Sequence, residues 1–194
     1  MSPEEIEEAR KVIEEGGTVI FPTETAYGIA ADATNREAIE KVYEMKKRPR
    51  TKGLTVIVNS LKQAEKYSNL SEDEKKIVRE FMPGPLTLIA EKKEIVPDNL
   101  NEDFAFRISS SETARELAEN TPITATSANI SGEETSYSVE EISEGLREKS
   151  DYIIDAGELE DGPTSTIIEI ENGKVTVHRE GPIKKEEIQK VLQG

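Results

Sequence analysis

Short apolar, β-branched runs alternate with helical patterns through the first half of the chain, and this alternation constrains the fold most. Residues 18–21 and 27–30 predict two strands, and residues 54–58 predict a third. Near the other end, residues 165–179 alternate apolar and polar side chains around Asn172-Gly173, which predicts a β-hairpin. We therefore predict an α/β fold with a twisted mixed sheet and flanking helices.

Capping boxes mark the starts of the predicted helices. In this pattern a Ser hydroxyl and a Glu three residues later each accept from the other residue's backbone N–H. Residues 2–5 and 71–74 fit the pattern, and residues 138–141 fit it as the start of a very acidic helix. No repeat, low-complexity tract or long linker interrupts the sequence, so we predict a single domain over residues 1–194.

The composition excludes several classes of chemistry. Without cysteine there is no disulfide, no thiolate nucleophile and no Cys-ligated zinc. The one histidine, His178, lies in a predicted strand, which favours a packed side chain over a general base reaching Ser127 or Ser165. Neither a P-loop nor a dinucleotide-binding glycine motif occurs. The acidic start of the chain resembles no signal peptide, and we predict a cytoplasmic protein.

A cationic run at residues 46–52 opposes the charge of the rest of the chain. It holds five Lys or Arg side chains in seven residues, whereas the formal net charge of the chain is −15. Arginine forks and lysine charges on a loop suit a polyanion such as a triphosphate. Alternatively, Lys46, Lys47 and Arg48 only end a helix, where cations favour the negative end of its dipole. The residues alone leave both interpretations open.

Three other places combine polar side chains with strand ends. Residues 23–25 form a hydroxyl-rich turn, which is either a ligand site or a turn whose hydroxyls bind their own backbone. Ser127 and Asn129 lie in a loop of small residues that either admits a ligand or forms an ordinary Ser/Asn turn. Arg107 ends an apolar run, so it is either buried with a partner or on an edge strand that reaches solvent.

Several ordered blocks together resemble the YrdC-like domain family. The clearest are residues 21–28, the run from Lys46 to Leu54, and the Ser127-x-Asn129 loop. Further blocks fall in the family's order at residues 81–87, 105–107, 165–168 and 179–181. The match runs over nearly the whole chain. This resemblance implies a twisted α/β sheet with a large concave cavity, as in YrdC/RibB-like folds.

The best-known members of this family are threonylcarbamoyl-AMP synthases. These nucleotidyltransferases combine L-threonine, bicarbonate and ATP, release pyrophosphate, and supply the adenylate for threonylcarbamoyladenosine in tRNA. By this resemblance Lys46 and Arg48 are the expected catalytic cations. The residues expected to hold ATP are Lys46, Arg48, Lys52, Ser127, Asn129, Ser165 and Arg179. Thr23 and Arg107 are expected to hold threonine, and Arg107 would pair with its carboxylate.

The resemblance also implies partners and alternatives. We expect Mg²⁺ to accompany ATP, held mainly by phosphate and water, and a downstream transferase machinery to act on tRNA. Departures from the pattern of longer members, such as Ile57 for a frequent His and Thr126 for a frequent Pro, indicate the short, single-domain branch. One alternative is a non-adenylating paralogue that binds double-stranded RNA or tRNA, which the overall acidity disfavours. Another is a relative that transfers a carbamoyl group from carbamoyl phosphate.

Overall fold

The structure is a computed structural model, and it describes residues 1–193. Within this range the chain forms seven helices and eleven strands. The helices are α1 (Pro3–Glu14), α2 (Arg36–Lys46), α3 (Leu61–Tyr67), α4 (Glu72–Phe81), α5 (Glu112–Leu117), α6 (Glu144–Arg147) and α7 (Lys185–Gln193). The strands are β1 (Val19–Pro22), β2 (Tyr27–Ala30), β3 (Val56–Ile57), β4 (Ser68–Asn69), β5 (Leu86–Lys92), β6 (Phe104–Arg107), β7 (Ile123–Thr124), β8 (Thr126–Ser127), β9 (Tyr152–Ile153), β10 (Thr166–Glu171) and β11 (Lys174–Arg179).

The strands divide into two mixed sheets. The first has the order β8-β2-β1-β9, in which β1 runs antiparallel to β2 and parallel to β9. The second has the order β11-β10-β5-β6-β3-β7, and β4 pairs with β5 beside this path. In it the parallel pairs β5–β10 and β3–β6 stand next to antiparallel ones. The predicted α/β class is therefore confirmed, although two sheets form where the sequence suggests one.

Residues 123–127 join the two sheets. β7 pairs with β3 in the second sheet, and β8 pairs with β2 in the first, where Ser127 lies opposite Gly28. Between them the Ala125 N–H donates to the Thr55 carbonyl at 2.7 Å. A polar cavity opens at this junction.

Two apolar cores hold the first sheet from its two faces. Ile20 of β1 packs into the larger core with residues of α2 and α4, whereas Val19 and Phe21 pack into a second core with residues of α1 and α5. Because both faces of β1 are buried, its sequence is an unbroken apolar run. None of the helices within residues 1–193 has the length and hydropathy to span a membrane.

Local sequence signals placed most elements correctly. Capping boxes join Ser2 with Glu5 at the start of α1 and Ser71 with Glu74 at the start of α4, as predicted. The hairpin of β10 and β11 turns at Asn172 and Gly173, whose φ angles are 49° and 74°. Positive φ at both central residues is what a type I′ hairpin turn needs, which explains the Asn-Gly pair.

The predicted acidic helix from Ser138 is wrong. The Glu141 carboxylate accepts from the Tyr137 N–H at 2.7 Å, and the Ile142 N–H bonds to the Val139 carbonyl. These bonds close a turn, and the helix that follows, α6, covers only Glu144–Arg147. The capping residues were present, but the Glu141 carboxylate binds the N–H of Tyr137, one residue before Ser138, and this local bond closes a turn rather than a helix.

Candidate active site

A cavity of about 310 Å³ lies at the junction of the two sheets. Its lining combines hydroxyls and glycine backbone with three arginines. Six of the nine residues predicted as a site line it: Thr23, Arg48, Arg107, Ser127, Ser165 and Arg179. In a chain of formal net charge −15 this concentration of positive charge is local, and it suits an anionic ligand.

Arg107 is a buried cation with a carboxylate partner. It ends β6, which lies between β5 and β3, so the edge-strand interpretation is wrong. The side chain is 8% exposed, and its Nη1 donates to the Glu24 carboxylate at 2.6 Å. Burial lowers the pKa of Arg107 and the charge of Glu24 opposes this. The ion pair keeps the guanidinium in place where an unpaired charge would be very costly.

The Glu24 carboxylate is itself held on its second oxygen. The Ser109 hydroxyl donates to Oε2, and the Ser109 carbonyl accepts from Arg115 at 2.7 Å. Within residues 1–193 the Nε and Nη2 of Arg107 donate to no acceptor, and Arg107 lines the cavity. The pair therefore fixes one side of the guanidinium and leaves donors for a carboxylate or another oxyanion.

The hydroxyl-rich turn is both a turn and part of the lining. The Thr23 hydroxyl donates to the Ala26 carbonyl at 2.7 Å and accepts from the N–H groups of Thr25 and Ala26. Thr23 pairs with its own backbone as an ordinary Thr turn does. Thr23 and Thr25 nevertheless line the cavity, with their hydroxyl oxygens 3.0 Å apart. The two interpretations of this segment are therefore compatible.

Arg179 is fixed by the residue that precedes β10. Its Nε donates to the Ser165 carbonyl and its Nη2 to the Ser165 hydroxyl, both at 2.9 Å. The Ser165 hydroxyl lies 2.8 Å from that of Thr87, and Ser165 is 4% exposed. Burial, and after it the charge of Arg107, lowers the pKa of Arg179. Both arginines line the cavity.

Arg48 is oriented by the loop that follows α2. Its Nε donates to the Lys52 carbonyl and its Nη2 to the Gly53 carbonyl, both at 2.8 Å. The loop is fixed in turn by Asn101, whose side chain donates to and accepts from the Leu54 backbone at 2.7 Å. Burial lowers the pKa of Arg48. The loop therefore presents the guanidinium toward the cavity in a set orientation.

Lys46 binds the protein rather than facing the cavity. It is 1% exposed, and its Nζ donates to the carbonyls of Ser127 and Asn129, the latter at 2.6 Å. The Ser131 N–H donates back to the Lys46 carbonyl at 2.9 Å. Burial, with a smaller effect of the Arg48 charge, lowers the pKa of Lys46 to about 7. This lysine fastens the end of α2 to the loop at 127–131.

Comparison with known proteins shows the family to which the chain belongs. The sequence profile of Sua5_yciO_yrdC, described as "Telomere recombination", matches residues 11–181. The chain belongs to the Sua5/YciO/YrdC family. The predicted resemblance to YrdC-like domains is thereby confirmed.

The relatives of this Sua5/YciO/YrdC domain include archaeal proteins. A protein of Methanocaldococcus jannaschii is 42% identical over 189 residues, which are 92% of this chain and 91% of that one, and its name gives it provisionally as a threonylcarbamoyl-AMP synthase. The threonylcarbamoyl-AMP synthase of Pyrococcus abyssi is 37% identical over 186 residues, 93% of this chain but 55% of that one. The crystal structure of P. abyssi Sua5 complexed with L-threonine superposes with a TM-score of 0.88 at 36% identity, covering 96% of this chain and 56% of that one. The chain thus spans little more than half of the Pyrococcus protein.

Three of the predicted site residues of this Sua5/YciO/YrdC domain do not line the cavity: Lys46, Lys52 and Asn129. Lys46 lies beneath the loop at 127–131, and the Lys52 side chain is exposed while its carbonyl orients Arg48. The Asn129 side chain donates to the carbonyls of Ile130 and Glu133 at 3.1 and 2.8 Å, so it shapes the loop. Direct contact of these three with ATP stays a prediction.

Some residues of the site were not named individually from the sequence. Glu24, which pairs with Arg107, and Thr25, which lines the cavity, both lie in the turn at 23–25 that the sequence marked as a possible ligand site. Tyr137 lies in no motif, and its place in the cavity depends on how the turn at 138–142 folds. His178 is not among the cavity residues. Its ring pairs with Glu169 at 2.8 Å on the hairpin and its side chain is 43% exposed, so its interpretation as a packed side chain is wrong.

Proposed function

We propose that this chain is a threonylcarbamoyl-AMP synthase, which joins L-threonine, bicarbonate and ATP and releases pyrophosphate. The observation that carries the proposal is the convergence of Arg48, Arg107 and Arg179 on one cavity with Thr23, Ser127 and Ser165. The names of the relatives and the threonine complex of the Pyrococcus protein support the same activity. The reaction brings several anions together, so a site of fixed cations and hydroxyls matches its needs.

Threonine is proposed to bind beside Glu24 and Arg107. The free donors of Arg107 would form a fork to its carboxylate, and the Thr23 and Thr25 hydroxyls would lie near its polar groups. Its ammonium group loses a proton, the resulting amine adds to the carbon of bicarbonate, and water leaves as the N–C bond forms. The product is a carbamate with two negatively charged carboxylates, which a cationic cavity stabilises.

The triphosphate is proposed to lie along Arg48 and Arg179. A carbamate oxygen attacks the α-phosphorus, and the bond from that phosphorus to the bridging oxygen breaks as pyrophosphate leaves with the electron pair. Arg48 and Arg179 would offset the charge that develops on the leaving group. Lys46 and Asn129 would support this site through the loop that carries Ser127. No covalent nucleophile is needed for these steps.

Other parts of the assignment extend the proposal. Mg²⁺ would arrive with ATP and be held by phosphate oxygens and water, because residues 1–193 form no cluster of three His, Cys, Asp or Glu side chains. Lys52, exposed at the loop that orients Arg48, would contact the phosphates from the solvent side. A cytoplasmic location, and a downstream transferase machinery acting on tRNA, stay predictions from the sequence and the resemblance.

Pyrophosphate release tests the proposed function. We expect release only when threonine, bicarbonate and ATP are all present, and mass spectrometry should then detect threonylcarbamoyl-AMP. Omitting threonine should reduce release to background. Release that is indifferent to threonine would reject the assignment and indicate an ATPase instead.

Replacing Arg48 should affect ATP more than threonine. In Arg48→Ala we expect ATP affinity to fall about 10- to 100-fold, because a charge-assisted hydrogen bond is worth about 1.5–3 kcal/mol. Threonine affinity should stay within about twofold of wild type. Calorimetry with a non-hydrolysable ATP analogue and with threonine measures both, and Arg50→Ala, an exposed neighbour paired with Glu40, is the matched control. Equal losses for the two ligands would mean that Arg48 supports the fold or a different site.

The RNA-binding alternative gains little from the structure. Lys46 is buried, Arg48 is bound to two backbone carbonyls, and Arg50 pairs with Glu40, so the cationic run offers few free charges to a phosphate backbone. Gel-shift titration at low salt checks this, and we expect no retardation of a tRNA at micromolar protein. Binding with a steep salt dependence would favour the alternative.

A further inference from the structure

The block at residues 81–87 has no part in the mechanism proposed above. Its last residue, Thr87, lies on β5 and is fully buried. β5 runs parallel to β10, and in their register Thr87 stands opposite Ile167. The Thr87 hydroxyl oxygen lies 2.8 Å from the hydroxyl oxygen of Ser165, the residue directly before β10. This hydrogen bond connects the block to a residue that lines the cavity.

The backbone around Ser165 is fixed on two sides. The Thr166 N–H donates to the Pro85 carbonyl at 2.9 Å, so β10 begins against the end of the 81–87 block. On the other side, a Cβ at Gly181 would lie 2.5 Å from the Thr166 nitrogen, so the chain that leaves β11 passes directly over the start of β10. The Ser165 side chain therefore projects from a backbone that has little room to move.

The hydrogens of the Thr87 and Ser165 hydroxyls can be assigned from their partners. A guanidinium only donates, so the Ser165 hydroxyl oxygen accepts from Arg179 Nη2 at 2.9 Å. Within residues 1–193 the Thr87 hydroxyl has no partner other than Ser165. If Ser165 donated to Thr87, the buried Thr87 hydrogen would have no acceptor, which is costly. Thr87 is therefore the donor, and both lone pairs of the Ser165 oxygen are filled.

This assignment leaves the Ser165 hydrogen for the cavity. In the described part of the chain the Ser165 hydroxyl bonds only to Thr87 and Arg179, and it lines the cavity. Arg179 Nη1 also donates to no acceptor in that range, and Arg179 lines the same cavity. Ser165 and Arg179 thus present donors to a ligand and no free acceptor. A ligand atom that only accepts, such as a deprotonated phosphate oxygen, fits this pair.

Resting on the proposed function, we propose that Thr87 is a positioning residue for the triphosphate of ATP. It donates to Ser165 and so directs the Ser165 hydrogen at a phosphate oxygen beside Arg179. A hydroxyl that already accepts two hydrogen bonds is polarised by them and donates more strongly, so Thr87 also strengthens the contact. The 81–87 block thus acts on the ligand without touching it.

Calorimetry with inorganic pyrophosphate and with threonine tests this inference, because pyrophosphate carries the phosphate oxygens and threonine does not. Thr87→Val has nearly the same shape and lacks the hydroxyl. It should weaken pyrophosphate binding about 3- to 10-fold, since a neutral hydrogen bond contributes about that much. Threonine should bind within about twofold of wild type. Equal losses for the two ligands would overturn the inference.

Two variants control for the fold. Thr87→Ser keeps the hydroxyl and should bind pyrophosphate within about twofold of wild type. Thr113→Val is the matched control, because Thr113 is a buried threonine of α5 whose hydroxyl donates to the Met1 sulfur, and it should leave both affinities unchanged. A loss in Thr87→Ser as large as that in Thr87→Val would mean that packing at Thr87, rather than its hydroxyl, matters.

A double-mutant cycle shows whether Thr87 acts through Ser165. Ser165→Ala removes the hydroxyl that Thr87 directs, and it should itself weaken pyrophosphate binding. In that background Thr87→Val should change pyrophosphate affinity by less than about twofold, because the group it acts on is already gone. A full loss in both backgrounds would assign the effect to the fold around β5 and overturn the inference.

The outcomes separate this inference from the proposed function. Unchanged pyrophosphate affinity in Thr87→Val would overturn the inference alone, and so would an increase, which would mean that Ser165 had donated to Thr87. A wild type that binds pyrophosphate but releases none from threonine, bicarbonate and ATP would overturn the proposed function, while the Thr87 variants would still decide the inference. Should Thr87→Val fail to fold, a crystal structure of the wild type with pyrophosphate should show a phosphate oxygen within about 3 Å of Ser165 Oγ. Pyrophosphate bound without that contact would overturn the inference.

Discussion

Arg107→Met should lower kcat/KM for threonine by about 30- to 5,000-fold. Arg107 is buried, and its ion pair with Glu24 holds it in place. Truncating one partner of a buried, hydrogen-bonded charge pair costs about 2–5 kcal/mol, and a threonine carboxylate in this site would lose its only paired cation. Steady-state pyrophosphate release at varied threonine measures the effect. The KM for ATP should change much less.

Two further variants show whether this loss is specific. Arg107→Lys keeps the charge without the fork and should recover only part of the activity, because a lysine cannot bond Glu24 and a carboxylate with the same planar geometry. Arg115→Lys is the matched control, since Arg115 donates to the Ser109 carbonyl and lies outside the cavity lining. Circular dichroism melting shows whether each variant folds. A similar loss in Arg115→Lys would assign the effect to the fold around Ser109 rather than to threonine.

The elements that the sequence predicted correctly are those that local interactions determine. The capping boxes of α1 and α4 and the Asn172-Gly173 turn each involve residues at most three apart, so their chemistry is visible in a short window. The predicted helix from Ser138 is wrong because a short window shows that capping residues are present but not which backbone N–H they bind. Its capping signal was present, but the backbone of Tyr137 used the Glu141 carboxylate.

The site depends on local motifs and also on contacts between residues far apart in the chain, which a short stretch of sequence does not reveal. Glu24 and Arg107 are 83 residues apart, and so are Lys46 and Asn129, yet each pair forms a bond that defines the site. Whether Arg107 is buried depends on β6 lying inside the sheet, which follows from strand order. The motifs named most of the polar residues that meet in the cavity, but only the topology shows which face the cavity and which support it.

The cationic run at residues 46–52 contains both kinds of residue, those that line the cavity and those that support it. Its sequence allowed either a polyanion site or the end of a helix, and the structure assigns different positions to its members. Lys46 ends α2 and bonds the loop at 127–131, Arg48 lines the cavity, and Arg50 pairs with Glu40. Both interpretations therefore hold, each for different residues of the run.

Lys46→Met should destabilise the protein and lower its activity, and the loss of stability should grow with pH. The variant removes the Nζ donor from the Ser127 and Asn129 carbonyls. The Ser127 carbonyl keeps the Asn129 N–H at 3.0 Å, whereas the Asn129 carbonyl loses its donor, and an unsatisfied buried acceptor costs about 1–3 kcal/mol. Ser127 lines the cavity, so loosening its loop should reduce kcat/KM for ATP by about 100-fold. The exposed neighbour Lys47→Met is the matched control and should change neither quantity appreciably.

The pH dependence follows from the pKa of Lys46, which burial lowers to about 7 from the usual 10.5 of the unfolded chain. Between these values the unfolded chain binds more protons than the native protein, so the contribution of Lys46 to stability rises as pH rises from about 7 toward 10. The three oxygens around Nζ favour the charged form and reduce the effect, so we expect the difference between wild type and Lys46→Met to grow by about 1–2 kcal/mol from pH 6.5 to 9. Urea unfolding of both proteins at each pH measures it, and groups that titrate in both cancel in the difference. A difference that stays constant over this pH range would mean that Lys46 keeps its ordinary pKa and is charged in the native protein throughout.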